Sequence, residues 1–282
     1  MILVLGSSGQ VASELRRLTG VEAVGRPYLD FRDLGSISKV IEGAQPSAVI
    51  NAAAYTSVDA AEDDAEVAHM VNSDAPAEVA RVCHSLNIPL VQISTDYVFS
   101  GTKSCPYLPE DVCAPRSVYG ASKRAGEVAV AASGCRHAIL RTSWVFSPHG
   151  SNFVKTMLRL GRERGRLSVV RDQIGGPTSA EAIAKCCVAI AERMALDPEV
   201  AGTFHFSGTP AVSWFEFAQE IFSLSDLDVE LAPITSEAYP TRALRPKYSV
   251  LDCGSTCDTF GVSQPNWRED LLRVLRELGE AK

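Results

Sequence analysis

The sequence predicts an α/β fold of the Rossmann type, a doubly wound parallel sheet with a smaller C-terminal lobe for substrate. Three observations carry this expectation. Short, continuously apolar runs alternate with amphipathic segments through the first half of the chain, the pattern of strands covered on both faces by helices. The first apolar run, Ile2–Leu5, passes straight into a glycine-bearing turn and then a helical segment, as in dinucleotide-binding βα units. Beyond about residue 145 the rhythm loosens, and Pro233, Pro240, Pro246 and Pro265 break the rest into short pieces.

Taken in order, Ile2–Leu5 reads as a strand and Val11–Leu18 as the helix after the turn. Val21–Val24 is short and apolar, and Ser47–Ile50 is a further apolar run behind Pro46. Asp74 and Pro76 suit a helix start, the carboxylate as a cap and the proline in the first turn; that helix is expected to reach about His84. Pro89–Ile93 is the next strand, alanine-rich Val118–Ala132 a long helix, and His137–Leu140 another strand. Later, Phe153–Arg164 and Ala180–Met194 read as helices, Leu167–Val170 and Phe204–Phe206 as short strands. The division is placed at 1–147 and 148–282, with later segments returning to the first part and the second folding over the carboxyl edge of the sheet.

The chain has 282 residues, 46% hydrophobic and 22% charged, an ordinary globular composition. A formal net charge of -7 with no basic stripe argues against nucleic acid as a partner. No apolar run approaches the ~20 residues that span a bilayer, so no membrane partner is expected. The eight cysteines form no Cys-x-x-Cys, and the five histidines show no ligand spacing. They read as reduced thiols without a metal, and with an N-terminus that enters a strand without a leader this gives a cytoplasmic expectation.

Gly6-Ser7-Ser8-Gly9-Gln10-Val11-Ala12 is the first chemical motif. Glycines let backbone approach a pyrophosphate, and a helix N-terminus supplies N–H groups. The spacing is Gly-x-x-Gly-x-x-Ala, and a strand-to-helix turn can need glycine for shape alone; its place after the first strand favours a cofactor. The second strand ends in Ala23-Val24-Gly25-Arg26. A guanidinium there suits a 2′-phosphate, so NADPH is expected over NADH, the alternative being an exposed loop arginine. Phe31 is placed near the adenine and Asp30 at its amino group.

Tyr119-Gly120-Ala121-Ser122-Lys123 is the decisive feature. Residues four apart share a helix face, so the ammonium lies near the phenol and, with the cofactor's positive ring, is expected to lower its pKa for proton exchange with a carbonyl oxygen. Alone, such a pair is as readily a surface pair. Here Ile93-Ser94-Thr95-Asp96 ends an apolar strand, where open α/β sheets bind ligands. Thr95 is the preferred hydroxyl beside the tyrosine, with Ser94 the alternative. Asp96 either caps a turn or accepts bonds from sugar hydroxyls. Asn51-Ala52-Ala53-Ala54-Tyr55-Thr56 closes another strand with side chains small enough for a nicotinamide ribose to lie against Ala53 and Ala54.

Together these motifs resemble the extended short-chain dehydrogenases and, more narrowly, the dTDP-4-dehydrorhamnose reductase family. Arg141-Thr-Ser-Trp-Val-Phe146, Asn152-Phe-Val-Lys-Thr-Met-Leu158, Asp172-Gln-x-Gly-x-Pro-Thr178 and Arg245-Pro-x-x-Ser-x-Leu251 extend the match to nearly the whole chain. The resemblance implies NADPH-dependent reduction of the 4-keto group of a dTDP-4-keto-6-deoxyhexose. It implies cofactor contacts at Gly9, Gln10, Val11, Asp30, Phe31, Ala54, Tyr55, Thr56, Tyr119 and Lys123, and sugar contacts at Thr95, Asp96 and Trp144. A tryptophan ring suits a sugar face, though Trp144 also reads as a core residue. Some members form a homodimer through magnesium bridged by glutamates; Glu14 and Glu181 stand at comparable places, where surface helix glutamates are the commoner explanation. The loop Thr102–Cys113 is not diagnostic and is expected near the sugar. Two rivals share the fold: a nucleotide-sugar epimerase or dehydratase, which usually retains NAD, and a non-catalytic subunit similar to the regulatory subunit of methionine adenosyltransferase.

Overall fold

The computed structural model describes residues 1–282. The first half runs β1 (Ile2–Leu5), α1 (Gln10–Leu15), β2 (Val21–Val24), α2 (Leu34–Ala44), β3 (Ala48–Asn51), α3 (Ala65–His69), α4 (Ala75–Ser85), β4 (Leu90–Thr95), α5 (Val118–Ala132) and β5 (His137–Thr142). The second adds β6 (Val145–Phe146), α6 (Phe153–Glu163), β7 (Arg166–Val170), β8 (Ile174–Gly175), β9 (Thr178–Ser179), α7 (Ala180–Leu196), β10 (Gly202–His205), β11 (Val212–Ser213), α8 (Trp214–Leu224), β12 (Glu230–Ile234), α9 (Gly254–Phe260) and α10 (Trp267–Leu278). No helix is long and apolar enough to cross a membrane.

The central sheet has the order β2-β1-β3-β4-β5-β10, and every pairing in it is parallel. Alternation along the strands splits its apolar side chains between two layers. Ile2, Val4, Ile50, Val91 and Leu140 join Leu15 of α1 and Ile183, Ile190 and Met194 of α7. Leu3, Leu5, Val49, Leu90 and Ile139 join Ile37 of α2, Val79 and Val82 of α4 and Val130 of α5. The winding reverses between β1 and β3, so their carboxyl ends frame the crevice where such sheets take ligands. A third cluster lies in the second half, where Phe217, Ile221, Trp267 and Leu271 pack with Leu167 and Val169, and β7 pairs with β12.

The helices α2, α8, α9 and α10 stand where the sequence reading placed no element, and two expected helices differ in extent. The first helix stops at Leu15, because Arg17 and Leu18 bond back only three residues, to Glu14 and Leu15, which tightens the last turn. The helix expected to open at Asp74 begins at Ala65. It passes through a wider turn over Met70–Asp74 before continuing as α4. Pro76 is the reason. A proline inside a helix lacks the N–H and crowds the carbonyl four residues back, here that of Asn72, and a π-type turn relieves this. The Asn72 carbonyl points at Gly126 of α5, where an added Cβ would lie 2.0 Å from the oxygen. The absent side chain is what lets α5 lie against this turn.

Candidate active site

The site is built at the carboxyl ends of β1, β3 and β4 and on the first turns of α5. Ser117 caps α5, accepting from the Gly120 N–H at 3.1 Å, and Glu62 accepts from the Val118 N–H at 2.9 Å. This fixes the helix start, and the four-residue spacing turns Tyr119 and Lys123 inward together, where both are buried. The Tyr97 ring meets Tyr119 edge-on, with centroids 5.5 Å apart.

The two groups are tuned by burial. Lys123 Nζ donates to the Ile93 carbonyl at 2.7 Å. Loss of solvent pushes its pKa down to about 8, opposed by the carboxylate of Glu127. Burial pushes the Tyr119 phenol up to about 12, opposed by the Thr95 hydroxyl. In the chain by itself the ammonium is engaged by a strand carbonyl, and desolvation of a phenolate decides the direction.

Thr95 and Ser94, open alternatives in the sequence, separate on the strand. Ser94 Oγ donates to Glu127 at 2.6 Å, two turns along α5 from Tyr119. Thr95 Oγ1 donates to Asp96 Oδ1 at 3.0 Å and accepts from the Tyr97 N–H at 3.2 Å. Asp96 is 2% exposed, its Oδ2 makes no well-formed hydrogen bond, and burial pushes its carboxyl up to about 6, opposed by the nearby Ser249 and Thr95 hydroxyls. Such a buried oxygen beside the Tyr119–Thr95 pair is a place for a ligand hydroxyl.

The strand-end loops fit a dinucleotide. Gly6 has φ +112°, and a Cβ there would come within 3.2 Å of the Ala53 nitrogen, so two loops pack backbone to backbone. Gly9 caps α1 without a side-chain bond, leaving the first N–H groups, including those of Gln10 and Val11, facing outward. The Gln10 side chain is used differently: its Oε1 accepts from Ser147 Oγ and Asn152 Nδ2, each at 2.9 Å, tying the glycine loop to the segment before α6. Ala53 N–H donates to Asn51 Oδ1 at 3.1 Å, while Ala54 is partly buried and Thr56 exposed. Tyr55 donates its hydroxyl to Asp64 at 3.0 Å.

Arg26 is exposed at the end of β2, and its charge acts on Asp30. The Asp30 carboxylate is held by Arg32, with contacts of 2.7 and 3.1 Å, and these bonds keep its pKa near 2, well below the ordinary value. Arg32 is a second cation at this edge that sequence reading missed. Phe31 lies in the core with Leu29, Ile37 and Ile41. Trp144 has φ +46°, a strained region for a bulky residue, and one face of its ring is stacked on Trp214 at 3.5 Å. Gly175 approaches the same ring, where an added Cβ would lie 2.5 Å from Cε2.

Asn72 is the other missed residue. Buried in the wide turn, its Oδ1 accepts from the Tyr55 N–H at 2.9 Å, and its Nδ2 donates to the Tyr55 carbonyl and to Ser122 Oγ, each at 3.0 Å. It joins the loop after β3 to α5. Its only trace in the sequence is a proline four residues on. The glutamates considered for magnesium have basic neighbours within the chain. Glu14 faces His149 at 3.3 Å and Arg17 at 3.4 Å, and Glu181 faces Lys185 at 2.5 Å. No group of three or more potential ligands is assembled in the chain.

Comparison with known proteins agrees with this geometry. The family model described as the RmlD substrate binding domain matches residues 1–280. A dTDP-4-dehydrorhamnose reductase of Sinorhizobium fredii is 40% identical over 97% of this chain and 96% of its own. The reductase of Escherichia coli K12 is 37% identical over 98% of this chain and 97% of its own. The crystal structure of the dTDP-4-dehydrorhamnose reductase of Bacillus anthracis in complex with NADP superposes with a TM-score of 0.90 at 36% identity, covering 98% of both chains.

Proposed function

We propose, from the premise that the chain belongs to the dTDP-4-dehydrorhamnose reductase family, that it uses NADPH to reduce the 4-keto group of a dTDP-4-keto-6-deoxyhexose. As a member it is an NAD(P)H-dependent oxidoreductase of the α/β Rossmann class. The observation that carries the finer reading is the convergence of Thr95, Tyr119 and Lys123, three buried polar groups, at the carboxyl end of β4.

The bound dinucleotide supplies the hydride. Thr95 and Tyr119 bond the substrate carbonyl oxygen, and Tyr119 gives it a proton as negative charge develops there. A phenol pushed up to about 12 is protonated throughout the physiological range, the state a reductase needs for a donor. Lys123 turns from the Ile93 carbonyl toward the cofactor ribose, and its positive charge eases the departure of the phenolic proton. Asp96 accepts a sugar hydroxyl, and the partly exposed Trp144 borders the hexose. The glycine loop receives the diphosphate, Ala53, Ala54, Tyr55 and Thr56 border the nicotinamide ribose, and Arg26 meets the 2′-phosphate. Magnesium plays no part in this scheme.

Turnover with dTDP-4-keto-6-deoxyhexoses, followed by NADPH oxidation, tests the assignment. Stoichiometric NADPH consumption with formation of the deoxyhexose is expected. Protein purified with tightly held NAD and interconverting sugars without consuming NADPH would give the reading to the epimerase class. In the same assay, Arg26→Asp should raise the KM for NADPH about tenfold or more, since a charge-assisted bond contributes about 1.5–3 kcal/mol, and leave the KM for NADH nearly unchanged. Equal effects on both cofactors would remove Arg26 from the 2′-phosphate.

A further inference from the structure

Glu127 stands at the centre of a buried polar cluster that the scheme above does not use. It lies on α5 one turn beyond Lys123 and is 1% exposed. Its Oε1 accepts from Ser94 Oγ at 2.6 Å and from Arg141 Nε at 2.8 Å. Its Oε2 accepts from Arg141 Nη2 at 2.8 Å and Arg124 Nη1 at 2.9 Å. Arg141, in β5 and equally buried, donates from Nη1 to the Pro109 carbonyl at 3.0 Å and lies 3.3 Å from His205 Nε2. His205 in turn meets the Tyr107 carbonyl through Nδ1 at 3.0 Å. Burial pushes the imidazole down to about 4, so it is neutral, with the proton on Nδ1 and Nε2 free to accept from Arg141.

One chain of bonds thus links the strand that ends in Thr95, the helix of Tyr119 and Lys123, and residues 107–109 of the loop between β4 and α5. The charged and titratable groups facing Glu127 are Lys123 and Arg124 on its own helix, Arg141 from β5, His205 from β10 and Cys113 from the loop. Buried ions persist only when paired and fully bonded. Glu127 has four such bonds, and it is the carboxylate that favours the charged form of Lys123.

We propose that Glu127 is a positioning residue of the reductase site: from the turn of α5 after Lys123 it fixes the strand end that presents Thr95, sustains the charge of Lys123, and through Arg141 and His205 fastens the 102–113 loop. The inference rests on the reading of Tyr119 and Lys123 given above. The sign of the expected pH effect follows from the lysine. Its ammonium form prevails below its pKa of about 8, so an interaction with NADPH that needs the charge is present at low pH and lost as pH rises through that value. Removing the Glu127 charge lowers the lysine pKa further and moves the loss toward acid.

The test is NADPH affinity measured across pH without sugar, beside the pH profile of kcat/KM. In Glu127→Gln the alkaline fall in affinity should move about one pH unit toward acid, making NADPH binding roughly fivefold weaker at pH 8. Glu127→Asp, which keeps the charge, should restore its position. A purely architectural glutamate would lower the melting temperature and leave the fall where it was, which overturns the proposal. Should the single variant not fold, the double change Glu127→Gln with Arg141→Met removes the stranded cation as well; the same acid shift is expected, and an unshifted fall again overturns it. Lys123→Met separates the two levels. If it weakens NADPH binding while Glu127→Gln shifts nothing, the role of Glu127 alone is wrong. If it binds NADPH like the wild type, the reading of Lys123 fails and the inference with it.

Discussion

Tyr119→Phe should slow reduction of the keto sugar by about 10²–10⁴-fold, the usual contribution of a positioned proton donor. The substitution removes one oxygen. The ring still meets Tyr97 edge-on, so fold and NADPH affinity should stay close to wild type. Thr95 remains as the second bond to the carbonyl oxygen, which is why the loss should stop short of abolition. Single-turnover reduction at saturating NADPH reads the effect directly, because it excludes product release. A phenylalanine variant within a few-fold of wild type would mean that the proton comes from elsewhere, with Asp96, buried and raised to about 6, the next group to examine.

Gly126→Ala should produce the largest loss of stability of any single methyl added to a helix. Alanine normally favours a helix by about 1 kcal/mol over glycine, yet here its Cβ would lie 2.0 Å from the Asn72 carbonyl oxygen, a backbone atom with no rotamer to escape into. Overpacking of this kind costs about 1–3 kcal/mol, enough to lower the melting temperature by several degrees. The contact also has a functional side. Asn72 holds the Tyr55 backbone through two bonds, so displacing the wide turn should weaken NADPH binding as well. Gly43→Ala is the control, an exposed position in α2 where an added Cβ meets nothing within 4 Å; it should be neutral or stabilising. Equal melting temperatures for the two variants would show that α5 shifts away from the turn at little cost.

The strands of the first half were legible because they are short apolar runs bounded by punctuating residues, and the candidate site residues stand where those runs end. Tyr119, Lys123 and Thr95 could be read out as a set since two periodicities, four along a helix and a strand terminus, each pointed to one crevice. What stayed hidden was non-local. Asn72 looks like any helical asparagine until Pro76 opens a turn around it and α5 closes against it. Glu127 and Arg141 stand fourteen residues apart and become partners only when β5 enters the sheet beside β4. Trp144 could be weighed as sugar platform or core residue, and its stack on Trp214 makes it partly both, a contact across seventy residues that no local pattern encodes.

The return of β10 to the edge of the sheet bears on how the chain can be cut and recombined. A fragment ending near residue 147 would hold five of the six strands, but β5 would become a bare edge carrying unpaired N–H and C=O groups, a template for strand addition by another molecule. The same fragment would lose α7, whose Ile183, Cys187, Ile190 and Met194 cover Val4, Ile50, Val91 and Leu140, leaving that face of the sheet with only α1 to cover it. Truncation there should yield aggregates rather than a free nucleotide-binding module. Chimeras that exchange sugar-recognising segments among relatives should therefore keep the 180–205 stretch with its parental sheet and place their junctions in the loops on either side of it.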